Sequence, residues 1–151
     1  MTLFKFTALA VMGWLLLAPA AHAQSVLVEK ASRHSVSATA DKLAALAKDE
    51  GLTVYARIDH KAEAKKAGRM MTPSEVLLLG SPTSAARVAW HDPRAMLDLP
   101  VRVLIYQDAS DETRLVYRRP TALNNEFATS QCATIPEIET RIGELTDMAV
   151  K

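Results

Sequence analysis

The chain has 151 residues, 49% of them apolar and 23% charged. That balance excludes a disordered, collagen-like or disulfide-stapled protein and leaves material for a real core. Lys plus Arg number 18 and Asp plus Glu 17, and Lys5 is the only charged side chain ahead of Gln24, so residues 24–151 carry 17 of each sign. A formally neutral chain of this kind excludes a surface built to grip nucleic acid or an anionic membrane.

Lys5 stands just before an apolar stretch, Phe6 to Leu17, followed by Ala18-Pro19-Ala20-Ala21-His22-Ala23. A positive start, a short apolar run and small residues ahead of a cut site are what a signal peptidase reads, so residues 1–23 are expected to be an export signal cleaved before Gln24. A membrane span needs about 20 apolar residues, more than this run offers. Gln24 also stands where a lipoprotein would carry Cys. The expectation is a periplasmic or secreted chain, residues 24–151 forming one α+β domain that no membrane holds after cleavage. Cys132 has no second cysteine to pair with. It is expected to be buried, the alternatives being a cross-link to another chain or a reactive thiol.

Residues 25–31 predict a first strand, and a helix follows, capped by Ser35 or Ser37. Its Val36, Ala40, Leu43, Leu46 and Ala47 recur at helical spacing until Gly51 stops it. Leu52 to Ile58 alternate, which predicts a strand with Leu52, Val54, Ala56 and Ile58 on one face and Thr53, Tyr55 and Arg57 on the other. Asp59 can cap a short helix from His60 to Ala67, whose alanines let it lie close to the sheet before Gly68 ends it. The run Glu75-Val76-Leu77-Leu78-Leu79 reads as a strand covered on both faces or nearly so, closed by Gly80-Ser81-Pro82.

A short helix over 83–89 is interrupted by His91-Asp92-Pro93. Asp98-Leu99-Pro100 then introduces a strand over 101–106, and residues 114–118 return through the polar segment 108–112 to make a hairpin. Thr134-Ile135-Pro136-Glu137 reads as a capping box that opens a last helix at about 135–150. Ile135, Ile138, Ile142, Leu145 and Ala149 form its apolar stripe, with Gly143 on the wet side. Strand, helix, several strands and helix make an α+β layer, not an alternating parallel fold.

Four segments in this order, Ile58-Asp59-His60, Gly80-Ser81-Pro82, Asp98-Leu99-Pro100 and Tyr117, together with Gly51, Val54, Gly68 and Pro73-Ser74-Glu75-Val76-Leu77, resemble the domain of unknown function 302 family of small bacterial proteins. The resemblance covers about residues 26–123. It implies a curved antiparallel sheet gripped by helices in the order β-α-β(4)-α, similar to the TATA-binding-protein-like arrangement, and implies no activity. Two positions depart from the family pattern. Ser81 stands where Asn is common, and Arg119 precedes Pro120 where an acidic or amide residue is more usual.

His60 joins a titratable ring to a strand end and a helix start, so it reads either as a polar anchor or general base in a cleft or as part of a helix cap. Ser81 lies on a tight turn, but Pro82 removes the N–H that a nucleophile elbow would use as an oxyanion donor. His34, His60, His91 and Cys132 show no metal-ligand spacing, so no metal site and no cofactor are expected. Arg114, Arg118 and Arg119 form a basic cluster that could meet an anion or simply guard a strand edge.

The expected function is a non-catalytic module binding a small molecule or an envelope protein. His60, Ser81, Tyr117 and Asp98 are the ligand-binding candidates, and no residue is assigned a catalytic role. The alternative is an envelope hydrolase or isomerase with His60 as general base. A homodimer through a sheet edge or Cys132 is a third reading.

Overall fold

The computed structural model describes residues 26–151, so the expected export signal over 1–23 lies outside the described residues. The elements run β1 (Leu27–Ser32), α1 (Val36–Asp49), β2 (Thr53–Asp59), α2 (His60–Lys66), β3 (Ser74–Gly80), α3 (Pro82–His91), a 3-10 helix (Pro93–Leu97), β4 (Val101–Gln107), β5 (Thr113–Arg118), a second 3-10 helix (Pro120–Asn125) and α4 (Thr134–Ala149). The strands form one open sheet in the order β1-β5-β4-β3-β2, with every neighbouring pair antiparallel. This is the expected α+β layer, with α2 and α3 inserted among the last four strands.

Alternation decides which face of the sheet is dry. Leu77 and Leu79 of β3, Val101, Val103 and Ile105 of β4, and Leu115 and Tyr117 of β5 all turn to one side. They pack there against Val36, Ala40, Leu43 and Ala47 of α1 and Ile142, Leu145 and Ala149 of α4. Each of these stripes repeats at helical spacing, so each helix buries one face. The other side of the sheet keeps Val76, Leu78, Leu104 and Val116 only half-buried. β3 is therefore covered fully on one face and partly on the other, despite its unbroken apolar run.

The helix ends follow the local chemistry with one exception. Ser35 caps α1 by accepting a hydrogen bond from Ala38 N, and Gly51 (φ 71°) and Gly68 (φ 69°) take the left-handed conformation that ends α1 and α2. The capping box expected at Thr134 does not form. Ala133 stands at the cap position without a side-chain hydrogen bond, and Thr134 is buried inside the first turn. The reason lies upstream, where Cys132 N donates to Thr129 O and Ile135 N donates to Cys132 O. These two turns draw residues 132–135 into a tight entry that pulls Thr134 inward. Gly143, expected in solvent, instead faces β5, and a Cβ there would stand 3.8 Å from the Tyr117 hydroxyl.

The alternation of β2 is broken by a bulge. Val54 pairs with Leu79 and Ala56 with Leu78, so Tyr55 is the extra residue. One inserted residue flips everything beyond it to the other face. Val54 and Arg57 therefore share the helix side, while Ala56 and Ile58 face away, which corrects the regular alternation expected from sequence. Arg57 then bridges Glu75 of β3 and Asp41 of α1 with its guanidinium.

A second, smaller core joins α3, both 3-10 helices and the start of α4 through Val88, Ala95, Leu123, Cys132 and Ile135. Cys132 is 3% exposed. Asp92 ties this region together. Its carboxylate accepts hydrogen bonds from Arg94 N, the Arg94 guanidinium and, across 36 residues of chain, Ala128 N at 3.0 Å.

Candidate functional site

A cavity of about 260 Å³ opens where three strand ends meet α3 and α4. Its walls are apolar: Leu52 ahead of β2, Leu79 at the end of β3, Leu99 and Val101 at the entry to β4, and Ile138 and Ile142 from α4. Tyr55, Ser81, Ser84, Glu137 and Arg141 supply the polar groups. An apolar body with a few convergent polar groups is what a small-molecule site requires, and this volume lies just below the usual range of such sites, which suits a compact ligand.

Each polar group has a local reason for its place. The β2 bulge puts the Tyr55 ring beside Gly80, 3.5 Å from where a Cβ on that glycine would stand. The same Cβ would lie 3.2 Å from Pro100 Cβ, so the absence of a side chain at Gly80 keeps this wall open. Ser81 follows β3 and caps α3, its hydroxyl accepting from Ser84 N, while Pro82 takes the first helical position where no N–H is needed. Glu137 and Arg141 stand one turn apart on α4. The Arg141 guanidinium donates to the backbone carbonyl of Glu50 and lies 3.7 Å from its carboxylate, which ties the rim of the cavity to the end of α1.

The four residues singled out from sequence do not converge. Ser81 lines the cavity. Asp98 and Tyr117 line a separate, more open depression of about 370 Å³, joined to the first only through the shared wall residues Leu99 and Val101. His60 lines neither. It opens α2 at the far end of β2, because Thr53 pairs with Gly80 while Asp59 pairs with Glu75. Six residues of strand put it about 20 Å from Ser81. Asp59 is the residue that caps α2, accepting from Ala62 N at 2.9 Å.

Asp98 is occupied by Arg102, whose guanidinium lies 2.7 Å away. Tyr117 is 4% exposed and packed under α4. Burial pushes its phenol above the ordinary value, and a hydrogen bond with Thr146 acts the other way. The Lys30 ammonium sits 5.9 Å from the Tyr117 ring centroid and is held by Gly143 O, Thr146 Oγ1 and Asp147. Among the described residues no group of three or more His, Cys, Asp or Glu converges on a point that could hold a metal ion.

Tyr55, Ser84, Ile138 and Arg141 line the cavity although none is among the four ligand-binding candidates expected from sequence. Tyr55 was visible as one of three tyrosines, and Ile138 as a member of the α4 stripe. Nothing local in the sequence signals that α4 closes over the Gly80-Ser81-Pro82 turn.

The fold and the cavity together define a class: an open antiparallel α+β layer with a small apolar cavity between its strand ends and two helices. Within that class the chain belongs to the family described as "Domain of unknown function DUF302", which matches residues 28–148. The match runs past the expected limit near residue 123 and takes in α4, which supplies one wall of the cavity.

The chain is 37% identical over 128 residues to a Brucella suis protein named fluoride-specific ion channel FluC 1, with 83% of this chain and 50% of that protein covered. A Brucella melitensis protein named fluoride-specific ion channel FluC 2 matches at the same identity, with 83% and 47% covered. The chain thus spans about half the length of the curated relatives it matches. The crystal structure of an uncharacterized conserved DUF302 protein from Bacillus stearothermophilus shares the fold, with a TM-score of 0.67 and 20% identity over 84% of this chain and 97% of that one.

Proposed function

We propose that the protein is an exported, non-catalytic module that binds one small organic molecule in the cavity between α3 and α4. The observation that carries the reading is the make-up of that cavity: apolar walls from β3, β4 and α4, an aromatic ring at Tyr55, and a polar rim at Ser84 and Arg141. The fitting ligand has a compact apolar body, of the size of one or two rings, and a polar end. Export rests on the Lys5, Phe6–Leu17 and Ala21-His22-Ala23 pattern.

Two features favour binding over catalysis. His60 stands at the opposite end of β2 from the cavity, which argues against its use there as a general base. Pro82 withholds the N–H that would follow a Ser81 nucleophile. The channel activity in the names of the Brucella proteins belongs to chains about twice the matched length, and an apolar cavity favours an organic ligand over fluoride.

Native mass spectrometry of residues 24–151, recovered from the exported fraction without reductant, tests the reading. One small non-covalent mass per chain is expected, and it should be absent from an Ile138→Trp variant whose indole fills the cavity. A bare chain in both preparations would contradict it.

A further inference from the structure

The depression lined by Asp98 and Tyr117 holds more positive charge than it neutralises. Three arginines, Arg102, Arg118 and Arg119, line it against the single carboxylate of Asp98. Asp98 is taken by Arg102 at 2.7 Å. The Arg119 Nη1 atom donates to Glu139, whose carboxyl is held below its ordinary value because hydrogen bonds from Thr121 and Arg119 outweigh its burial. Arg118 is left over, since among the described residues no carboxylate stands within ion-pair reach of it. Arg114, the other arginine on its face of β5, is occupied by Asp108 and Glu112 and lies outside the depression.

Two further observations mark the place as short of an anion. Val103 pairs with Tyr117, so Arg102 and Arg118 are direct neighbours across β4 and β5 on the outer face, about 5 Å apart at Cβ. Like charges in that relation repel unless an anion lies between them. The Nε–H of Arg119 is also buried with no acceptor among the described residues, and a buried guanidinium donor without a partner is costly. Beside these cations the wall is apolar, built from Leu99, Val101, Val116 and Leu123.

We infer that this depression is a second binding site, separate from the cavity, for an organic carboxylate: Arg118 and Arg102 take the anionic end in the planar, two-pronged geometry of guanidinium and carboxylate, and the apolar wall takes its body. Neither guanidinium has to leave a carboxylate of the protein for this, because Arg118 begins unpaired and Arg102 can keep Asp98 while turning a second N–H to the ligand.

The experiment is an NMR titration of residues 24–151 with benzoate, read on the signals of Val116 and Leu123, which line the depression and not the cavity. Benzoate is expected to shift these signals saturably in the millimolar range, and more weakly as salt is raised. Arg118→Gln is exposed enough to leave the unfolding temperature unchanged and should weaken binding by about tenfold or more. Arg87→Gln, on α3 outside the depression, serves as the control and should bind as the parent does. Absence of a saturable shift, or an Arg118→Gln variant that binds benzoate like the parent, would overturn the site. Inorganic phosphate binding as tightly as benzoate would overturn its assignment to a carboxylate with an apolar body.

Discussion

Tyr55 and Gly80 lie side by side at one end of the β2–β3 pair: a bulge raises the tyrosine, and a Cβ on the glycine would stand 3.5 Å from its ring, an ordinary contact. The backbone of Gly80 needs no left-handed conformation, so what the position requires is space. A Cβ there would press on Pro100 Cβ at 3.2 Å, and a proline ring at the mouth of β4 has little freedom to give. Gly80→Ala should therefore lower stability by about 1 kcal/mol, and Gly80→Val by about 1–3 kcal/mol, by overpacking. Denaturant unfolding measures both. A Gly80→Val variant as stable as the parent would show that this wall yields freely.

Gly143 gives the opposite sign. It lies inside α4, and its nearest neighbour for an added Cβ is the Tyr117 hydroxyl at an ordinary contact distance of 3.8 Å. Alanine costs a helix less backbone entropy than glycine does, so Gly143→Ala should stabilise by about 0.5–1 kcal/mol. The thermal midpoint should rise by about 2–4 °C. A fall instead would mean that the Lys30 hydrogen bond to Gly143 O does not tolerate the extra methyl group.

Asp92 links the fold to pH. Its carboxyl is held far below the ordinary range, first by the hydrogen bond from the Arg94 side chain and then by Ala128 N, with desolvation opposing. A carboxyl whose folded value is depressed contributes stability that is present in full above its unfolded value of 3.8 and is lost as pH falls through the folded one. Stability measured against pH should thus decline on acidification below about pH 4, and part of that decline should vanish in Asp92→Asn. The variant should also speed amide exchange at Ala128. An unchanged acid limb in Asp92→Asn would show that other carboxylates carry it.

Cys132 lies in the small core between Val88 and Ile135 at 3% exposure. A thiol placed there should react with a disulfide reagent only when this core opens, on the order of a hundredfold more slowly than in urea. The chain should also run as a single species on a non-reducing gel. Rapid labelling of the native protein would show the thiol open to solvent, and a dimer that reductant dissolves would put Cys132 at a contact between chains.

Much of the fold was legible because its signals are local. Val101, Val103 and Ile105 alternate as a half-buried strand should, and Ile142, Leu145 and Ala149 repeat as a helix face should. The bulge at Tyr55 was not legible, because the shift from the Val54–Leu79 pair to the Ala56–Leu78 pair is a property of two strands and not of one. Thr134 carried the pattern of a cap and lost it to turns closed by Thr129 and Cys132. The candidate site divides in the same way. Ser81 could be read from its Gly-Ser-Pro turn, whereas Ile138 and Arg141 reach the cavity only through the docking of α4, more than fifty residues later in the chain. His60 drew notice for its chemistry, and the antiparallel pairing of β2 carries it away from the cavity.

A methyl NMR titration of residues 24–151 with indole decides whether the cavity between α3 and α4 is a binding site. Indole has an apolar ring body and one polar N–H, matching the walls and rim. Saturable shifts are expected at Leu79, Ile138 and Ile142, all three lining the cavity, and in Ile138→Trp the shifts at Leu79 and Ile142 should be lost. Signals at those residues that do not move at millimolar indole, or Leu79 and Ile142 signals that move equally in Ile138→Trp, would show that the cavity is no binding site.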